Sequence, residues 1–447
     1  MLIKDLIKAT GAEVFGNKDL DTDVTISTDT RTIKQGDFYL PLKGASFDGE
    51  KFIEQALEKG AVGSFCTKEL PRPTGEGSGE GLFLRVPDTL TAYLQLANYR
   101  RNKLNTKVVA ITGSSGKTTT KELVASVLSE KYKTFKTPLN HNNEIGFCQT
   151  IFESPDDTEV LVLEMGMRGL GEIELLSKYA EPDITIISNV GTAHIGRLGS
   201  RENIARAKCE IVKYQRGNVF IAHDDELIRN TVEFSGEKIF YSLKDVKILE
   251  KSSHYSKFIY QGNEYELNVG GDYNIENALS AINTGGKLGL TTEQIQAGLK
   301  KYKPIEKRWE AVGVNINGNT ISVINDSYNA NPESMRAFVD TIFELYKDYA
   351  LVLGDMGELG DNEVQYHREL GEYINNKPNL NKNAKIISIG TLSKNITDAI
   401  TTCETHHFNS IEEGVNYLRN NITPPTTLFL KASRSMKFEN IITNLQQ

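Results

Sequence analysis

A glycine-rich turn separates a strand-like run from a helix-like run in the stretch KVVAITGSSGKTT, which extends from Lys107 to Thr119. The run 107–111 is typical of a buried parallel strand, and apolar residues at helical spacing predict a helix over 118–131. A strand, a glycine-rich turn and a helix in this order are the setting of a phosphate-binding loop. The stretch therefore predicts an α/β domain that binds a nucleotide.

The backbone N–H groups of 113–118 are expected to face the phosphates at the positive end of the helix. Lys117 is expected to reach the terminal phosphates, and the Thr118 hydroxyl to hold Mg²⁺. The usual loop has glycine five positions before Gly116, where this chain has Ile111. A chance Gly-Lys-Thr in an ordinary turn is the alternative, but strand, loop and helix signals agree. The loop residues predicted to bind the cofactor ATP are Gly113, Ser114, Ser115, Gly116, Lys117, Thr118 and Thr119.

Composition excludes several classes of protein. At ~150 residues per domain, the 447 residues predict about three domains. A net charge of -8 gives no general attraction to nucleic acid or to an anionic membrane. The four cysteines are scattered, which predicts reduced thiols rather than disulfides or a zinc site. No signal peptide and no membrane-spanning stretch is recognisable, so we expect a soluble, cytoplasmic protein.

Strands alternate with helices after the first ~85 residues, which predicts an α/β fold with doubly wound parallel sheets. Asp88 is the expected N-cap of a helix that ends near Arg101. A second α/β pattern begins near residue 314, and the Gly/Pro-rich stretch Pro71–Gly81 is a hinge or a hairpin tip. The predicted domains are 1–86, 87–313 and 314–447, and the last has a Rossmann-like sheet. The predicted strands are 37–42, 107–111, 160–163, 184–187, 321–324, 350–353, 385–389 and 427–430.

Two polar side chains follow predicted strands, where ligands bind in open α/β sheets. Glu164 ends the strand 160–163 and is a candidate Mg²⁺ ligand, with an exposed glutamate as the alternative. His194 follows the strand 184–187 by way of Asn189. A neutral imidazole there could bind a metal or orient a phosphate, although a lone histidine is often structural.

Lys208 is out of place on a helix predicted over 202–214. It shares a face with the apolar residues Ile204, Ala207, Ile211 and Val212. A buried lysine is costly unless it is paired or chemically altered. The alternative is that its ammonium extends along the apolar surface to solvent.

The order of these and further motifs resembles the Mur ligase family over nearly the whole chain. The Asn-Ala-Asn-Pro and Gly-Asp-Met segments favour the members that add D-alanyl-D-alanine to UDP-N-acetylmuramoyl-tripeptide. Two departures concern substrate detail: Glu50 stands where histidine is usual, and Cys209 where glycine is usual. The matching segments, besides the loop, are 29–31, 36–37, 42–44, 47–49, 140–146, 164–166, 189–194, 207–211, 274–278, 326–332 and 353–360.

The resemblance implies an ATP-dependent, ADP-forming amide ligase of cytoplasmic peptidoglycan precursor synthesis. Nothing in the sequence demands more than a monomer, so a monomer is expected. Domain 1–86 would bind the UDP-sugar, 87–313 ATP, and 314–447 the dipeptide. Thr118 and Glu164 would hold one Mg²⁺; His194 and a carbamylated Lys208 would hold a second. The implied catalytic residues are Lys117, Glu164, His194 and Lys208; Asn277, Arg308 and Asp326 would contact ATP; Asp29, Thr30, Arg31, Lys43, Gly44, Asn142 and Asn143 would contact the UDP-linked substrate.

Other functions are compatible with part of this pattern. Another ligase of the family would add a different amino acid, and a P-loop switch would bind nucleotide without turnover. A kinase is a further possibility in principle. The third residue of the peptide, lysine or diaminopimelate, is not specified by the sequence.

Overall fold

Four β-sheets organise the residues that the structure, a computed structural model, describes: 1–44, 47–68, 81–138, 141–304 and 308–446. Residues 71–80 of the predicted hinge or hairpin tip, and Asn140 of the quoted motif, lie outside them. The chain forms two compact units, Met1–Thr106 with Pro138–Glu159, and Lys107–Thr137 with Val160–Gln447. The α/β fold class is confirmed.

The first unit is built on a five-stranded sheet in which only the first strand is antiparallel to its neighbour. Its strands are Glu13–Phe15, Ile26–Ser27, Phe38–Tyr39, Gly63–Cys66 and Leu82–Arg85. Its α-helices are Ile3–Thr10, Ile53–Glu58, Thr89–Leu104 and Glu144–Glu153, and a 3₁₀ turn covers Gly49–Phe52.

Two helices of the first unit come from distant parts of the chain and pack together. The rings of Tyr93 and Phe152 stack with centroids 5.5 Å apart. Arg100 donates from Nη2 to the carbonyl oxygen of Ser154 at 2.7 Å, close to the end of the second helix. Helix Glu144–Glu153 therefore belongs to the first unit, although the sequence analysis placed it in the range 87–313. The predicted domain boundaries remain a prediction.

The second unit begins with a six-stranded parallel sheet. Across the sheet, its strands are Glu237–Tyr241, Val219–His223, Ile184–Ile187, Lys107–Thr112, Val160–Glu164 and Thr134–Lys136. Its helices are Lys117–Leu128, Glu172–Ala180, Ile195–Leu198, Arg201–Cys209, Glu226–Thr231, Asp272–Lys287 and Thr292–Lys301, with 3₁₀ turns at Glu210–Val212 and Leu243–Asp245. A separate antiparallel sheet comprises Val246–Lys251, Ser256–Tyr260 and Asn263–Leu267.

This strand order decides where the site forms. The strand before the glycine-rich loop pairs with Val160–Glu164 on one side and with Ile184–Ile187 on the other. All three are parallel, so their carboxyl ends meet at one edge of the sheet. The loop, Glu164 and the segment after Ile187 therefore come together.

The second unit also contains a six-stranded sheet that is parallel except at one edge. In spatial order its strands are Glu310–Ile316, Asn319–Asn325, Thr427–Lys431, Tyr349–Gly354, Lys385–Ile389 and Glu404–Phe408. Its helices are Pro332–Leu345, Glu363–Asn375, Lys394–Asp398, Ile411–Asn421 and Glu439–Leu445, with 3₁₀ turns at Gly360–Asn362 and Arg434–Met436. Trp309 precedes the sheet and packs its ring edge-on against Phe338 at 5.7 Å.

His367, on helix Glu363–Asn375, is buried and structural. Its Nε2 accepts from the backbone N–H of Met356 at 2.8 Å, and its Nδ1 lies 2.6 Å from the carbonyl oxygen of Glu363. These partners require a neutral ring that donates from Nδ1. Burial lowers the pKa of His367, as expected for a neutral buried imidazole.

This lowered pKa predicts a pH dependence of stability. Below pH ~6.5 the unfolded chain binds a proton at His367 that the folded chain resists, so the free energy of unfolding falls on acidification. Above that pH both states are neutral there and the contribution is constant. We expect His367→Gln to flatten the pH dependence between pH ~6.5 and ~5, measured by urea unfolding. An unchanged slope would contradict this assignment; His254→Gln, at an exposed position, is the control.

Candidate active site

The segment after strand Ile184–Ile187 holds the phosphate loop in shape. Asn189 Oδ1 accepts from the backbone N–H groups of Ser114 at 3.2 Å and Ser115 at 2.9 Å. The Ser188 hydroxyl donates to the Ser115 carbonyl oxygen at 2.6 Å, and the Gly191 N–H donates to Ser114 Oγ at 2.9 Å. The loop conformation is thus specified by the neighbouring strand end as well as by its glycines.

Two loop glycines are required by close approaches. A Cβ at Gly113 would lie 1.9 Å from Ser188 Oγ. Gly116 has φ +76°, and a Cβ there would lie 2.5 Å from Asn277 Oδ1. The first glycine admits the neighbouring serine, and the second combines a left-handed backbone with contact against helix Asp272–Lys287.

Gly116→Ala is therefore expected to weaken ADP binding by about tenfold or more, because the N–H groups that follow it would be displaced. Isothermal titration with ADP measures this. Gly286→Ala is the matched control, since an added Cβ at that helical position meets no atom within 4 Å. Equal affinity in both variants would show that the loop does not bind the phosphates.

Lys117, the first residue of helix Lys117–Leu128, is turned back over its own loop. Its Nζ donates to the carbonyl oxygen of Gly113 at 2.7 Å. Burial lowers the pKa of Lys117; the carboxylate of Glu164 opposes the shift, and the Arg308 guanidinium adds to it. Lys117 thus lies in the field of both groups.

Glu164 is the last residue of its strand and is only 4% exposed, which rules out the exposed-glutamate alternative. Its backbone N–H donates to Thr137 Oγ1 at 3.0 Å. Lys121, 1% exposed, donates to the Thr137 carbonyl oxygen at 2.8 Å, and its Nζ lies 4.0 Å from Glu164 Oε2. The sequence analysis missed Lys121, although its position one helical turn after Lys117 was a usable signal.

Lys208 is 1% exposed, so the alternative in which its terminal nitrogen reaches solvent is wrong. Burial, and secondly the charge of Lys117, bring the pKa of Lys208 well below its usual value. The α-helix that carries Lys208 ends at Cys209 rather than near Tyr214, and Glu210–Val212 is a 3₁₀ turn. The Glu210 carboxylate accepts from the backbone N–H groups of Gly171 and Glu174 in the second unit.

His194 has a left-handed backbone, with φ +66°, at the start of the short helix Ile195–Leu198. Its Nδ1 lies 2.6 Å from the Glu358 carboxylate. Burial lowers the pKa of His194, Glu358 opposes this, and Lys117 and Lys208 reinforce it. His194 therefore shares one electrostatic environment with the two lysines.

Desolvation lowers the pKa of two lysines in this cluster, Lys117 and Lys208, and no nearby carboxylate fully offsets it. An anion bound at the loop would favour the ammonium form of Lys117. The phosphates of a nucleotide would supply such an anion.

The three residues outside the phosphate loop that were predicted to contact ATP each have a different partner. Arg308 donates to the Thr118 hydroxyl at 2.9 Å, and its guanidinium lies 4.1 Å from the ring centroid of Tyr328. Asn277 Oδ1 accepts from Thr120 at 3.1 Å, beside the loop. Asp326 pairs with the buried Lys431 at 2.5 Å.

The residues predicted to bind the UDP-linked substrate lie in the first unit. Asp29 accepts from the Arg31 guanidinium at 2.7 Å, which lowers the pKa of that carboxyl to about 2. Thr30 donates to Gln55 at 3.0 Å. The backbones of Lys43 and Asp48 form an isolated antiparallel β-bridge. The Gly44 N–H donates to the Phe47 carbonyl oxygen at 2.8 Å.

Two asparagines of this predicted set precede helix Glu144–Glu153. Asn143 is its N-cap and accepts from the backbone N–H of Gly146 at 2.9 Å, so its side chain has a structural role. Asn142 is half-buried beside it. Their predicted contact with substrate stays a prediction.

The donors present differ in how well they suit Mg²⁺, which prefers oxygen ligands. The Thr118 hydroxyl and the Glu164 carboxylate are suitable. His194 offers a nitrogen, and unmodified Lys208 offers no oxygen ligand. No group of three His, Cys, Asp or Glu side chains forms a ready metal site within the described part of the chain. A second ion beside Lys208 fits only if that amine is converted to an anionic oxygen donor.

The fold and this site define a P-loop nucleotide-binding protein. Models of three Mur ligase domains match the chain: the Mur ligase middle domain at 111–285, the Mur ligase glutamate ligase domain at 307–434, and the Mur ligase family catalytic domain at 24–72.

Relatives of known name match over almost their whole length. UDP-N-acetylmuramoyl-tripeptide--D-alanyl-D-alanine ligase of Bacillus subtilis is 36% identical over 436 residues, 94% of this chain and 92% of that protein. The ligase of the same name from Haemophilus influenzae is 30% identical over 456 residues, 97% of this chain and 96% of that one.

Solved structures agree. MurF from Acinetobacter baumannii is 29% identical with a TM-score of 0.89, covering 100% of this chain and 98% of that one. MurF ligase from Thermotoga maritima, in complex with ADP, is 26% identical with a TM-score of 0.81, covering 96% and 98%. The chain belongs to the Mur ligase family. It is an ATP-dependent, ADP-forming amide ligase.

Proposed function

We propose that the chain joins the amino group of D-alanyl-D-alanine to the terminal carboxylate of UDP-N-acetylmuramoyl-tripeptide. The phosphate loop, with Lys117 folded over it and Arg308 beside it, supports the proposal, in a chain whose relatives carry that activity in their names. One ATP would be cleaved to ADP and phosphate for each amide formed.

The first step brings two anions together, because a tripeptide carboxylate oxygen must attack the γ-phosphorus of ATP. Lys117 is the residue best placed to reduce their repulsion, since it is half-buried at the loop and its ammonium lies over the loop backbone. Arg308 would add a second positive charge once its guanidinium exchanges the Thr118 hydroxyl for a phosphate oxygen. The products of this step are an acyl phosphate and ADP.

In the second step the dipeptide amine attacks the acyl carbon, and phosphate leaves. The acyl phosphate is also open to attack by water, so the site must exclude solvent until the amine arrives. Residues of the predicted third domain already contact the loop region: Glu358 lies against His194, and the Gly196 N–H donates to the Glu358 carbonyl at 3.3 Å.

Two Mg²⁺ ions belong to this proposal. When bound, they would neutralise charge on the phosphates. Thr118 and Glu164 would hold one ion, and His194 and Lys208 the other. For the latter, the neutral Lys208 amine would add to CO₂, forming an N–C bond and losing a proton to give a carbamate. Burial favours the neutral amine that this reaction needs.

The remaining assignments follow the predicted domains. Residues 1–86 would bind the UDP-sugar through Asp29, Thr30, Arg31, Lys43 and Gly44, and Asn142 and Asn143 would contact the same substrate. Asn277 and Asp326 would contact ATP, and 314–447 would bind the dipeptide. We further propose a monomer that acts in cytoplasmic precursor synthesis. None of the described helices is long and apolar enough to cross a membrane.

Product formation tests the function directly. The enzyme is incubated with ATP, D-alanyl-D-alanine and UDP-N-acetylmuramoyl-tripeptide containing either lysine or diaminopimelate. The masses of the products are determined by mass spectrometry. We expect the pentapeptide product and one ADP per amide. Equal ATP turnover without the dipeptide, and no amide, would exclude the proposal. A product formed only when a single amino acid replaces the dipeptide would indicate another ligase of the family.

A further inference from the structure

The first turn of helix Pro332–Leu345 lies against the phosphate-loop region. Asn331 is its N-cap, with a capping box formed with Ser334. The Asn331 side-chain amide also donates from Nδ2 to Ser115 Oγ at 3.1 Å. The Asn331 side chain therefore caps the helix through its oxygen and contacts Ser115 of the phosphate loop at the same time.

Glu333, two residues later, makes the second contact. The Thr192 hydroxyl donates to its Oε2 at 2.9 Å. A Cβ on Gly191 would lie 2.7 Å from the same carboxylate oxygen. The absence of a side chain at Gly191 is thus what lets the carboxylate approach this segment.

The segment touched by Glu333 is the one that shapes the loop. The Gly191 N–H donates to Ser114 Oγ, and Asn189 Oδ1 accepts from Ser114 and Ser115. A displacement of residues 189–192 would therefore displace the N–H groups of the loop. One helical turn thus reaches the loop twice, directly through Asn331 and indirectly through Glu333.

A purely local role for Glu333 is the competing explanation, since a carboxylate in the first turn stabilises a helix through its dipole. That role needs no partner outside the helix. The hydrogen bond to Thr192 and the fit against Gly191 are specific to a segment 141 residues away in the chain. The Thr192 hydroxyl has no part in the local explanation, whereas it is required if Glu333 positions the segment that contains Thr192.

We propose that Glu333 is a positioning residue, which with Asn331 forms a clasp between the predicted third domain and the phosphate loop. The clasp sets the loop for nucleotide binding and keeps the predicted third domain against it while the acyl phosphate exists. This second effect rests on the proposed function; the effect on nucleotide binding does not.

A double-mutant cycle on the full-length enzyme tests the clasp. ADP affinity is measured by isothermal titration for Glu333→Ala, Thr192→Val and the double variant. We expect each single change to weaken ADP binding about fivefold to tenfold, and the double variant to be no weaker than the singles. Glu333→Gln and Thr192→Ser keep an acceptor and a donor, and should bind ADP like the wild type.

Turnover gives the second measurement. With all three substrates, phosphate released per amide formed should be close to one in the wild type and rise at least about twofold in Glu333→Ala, because water then competes for the acyl phosphate. Glu344→Ala is the matched control, since that carboxylate lies near the far end of the same helix and pairs with Lys251. It should leave both measurements unchanged.

Wild-type ADP affinity in Glu333→Ala, or additive losses in the double variant, would overturn the clasp. Failure of the wild type to form any amide would instead refute the proposed function, while the ADP cycle would still decide the clasp. Folding is checked by thermal unfolding. Should Glu333→Ala fail to fold, Thr192→Val with Thr192→Ser removes and restores the same bond from the other side.

Discussion

Lys117→Met is expected to lower kcat for amide formation about a thousandfold. The thioether keeps the volume of the stem but removes the charge that is to meet the γ-phosphate. Burial already disfavours the Lys117 ammonium, so the folded protein tolerates it at a cost and should not be destabilised by its loss. A steady-state assay at saturating substrates measures the change.

Lys131→Met is the control for this variant. Lys131 follows the same helix, and its ammonium donates to the Gly289 carbonyl oxygen at 2.8 Å, at an exposed position. It should retain full activity. Should Lys117→Met keep more than about a tenth of wild-type kcat, the ammonium would not be the main charge that acts on the phosphoryl group.

Lys208→Ala should be inactivated to a similar degree, by about a thousandfold, if Lys208 carries a carbamate. Truncation leaves a cavity the size of the lost side chain, into which a short carboxylic acid fits. Formate or acetate would then supply the anionic oxygens, so partial recovery of activity with either acid is expected.

Lys213→Ala controls for general effects of these acids, because Lys213 is exposed and pairs with Glu174. It should be active and insensitive to them. Intact mass spectrometry of the wild type under CO₂ should show the added carbamate, and Lys208→Ala should lack it. The absence of both rescue and mass change would refute carbamylation. It would leave the proposed ligase reaction itself untouched.

Local patterns predicted much of the fold because buried strands have a strong signature. Strand 385–389 has the predicted bounds, and strand 160–163 is one residue longer in the structure. The prediction of a strand over 37–42 was wrong in length, since the structure has only Phe38–Tyr39. Pro41 has no N–H to donate, which limits ladder pairing beyond that point.

As with the fold, the site residues could be predicted where the signal is local in the sequence, but not where it depends on residues far apart in the chain. Helical spacing alone identified Lys208 as a lysine on a buried face, and the structure confirms its burial. Nothing periodic links Ser115 to Asn331, which are 216 residues apart. The contact between them could not be predicted, because such contacts depend on how sheets and helices pack.

The composition of the first unit from separate stretches of the chain matters when the unit is expressed as a fragment. This unit consists of two separate stretches of the chain, Met1–Thr106 and Pro138–Glu159. A fragment that stops at residue 106 would lack helix Glu144–Glu153 and expose the ring of Tyr93 that stacks on Phe152. We expect such a fragment to be poorly soluble on expression. A chimaera that exchanges the first unit with that of a relative must therefore transplant both stretches together.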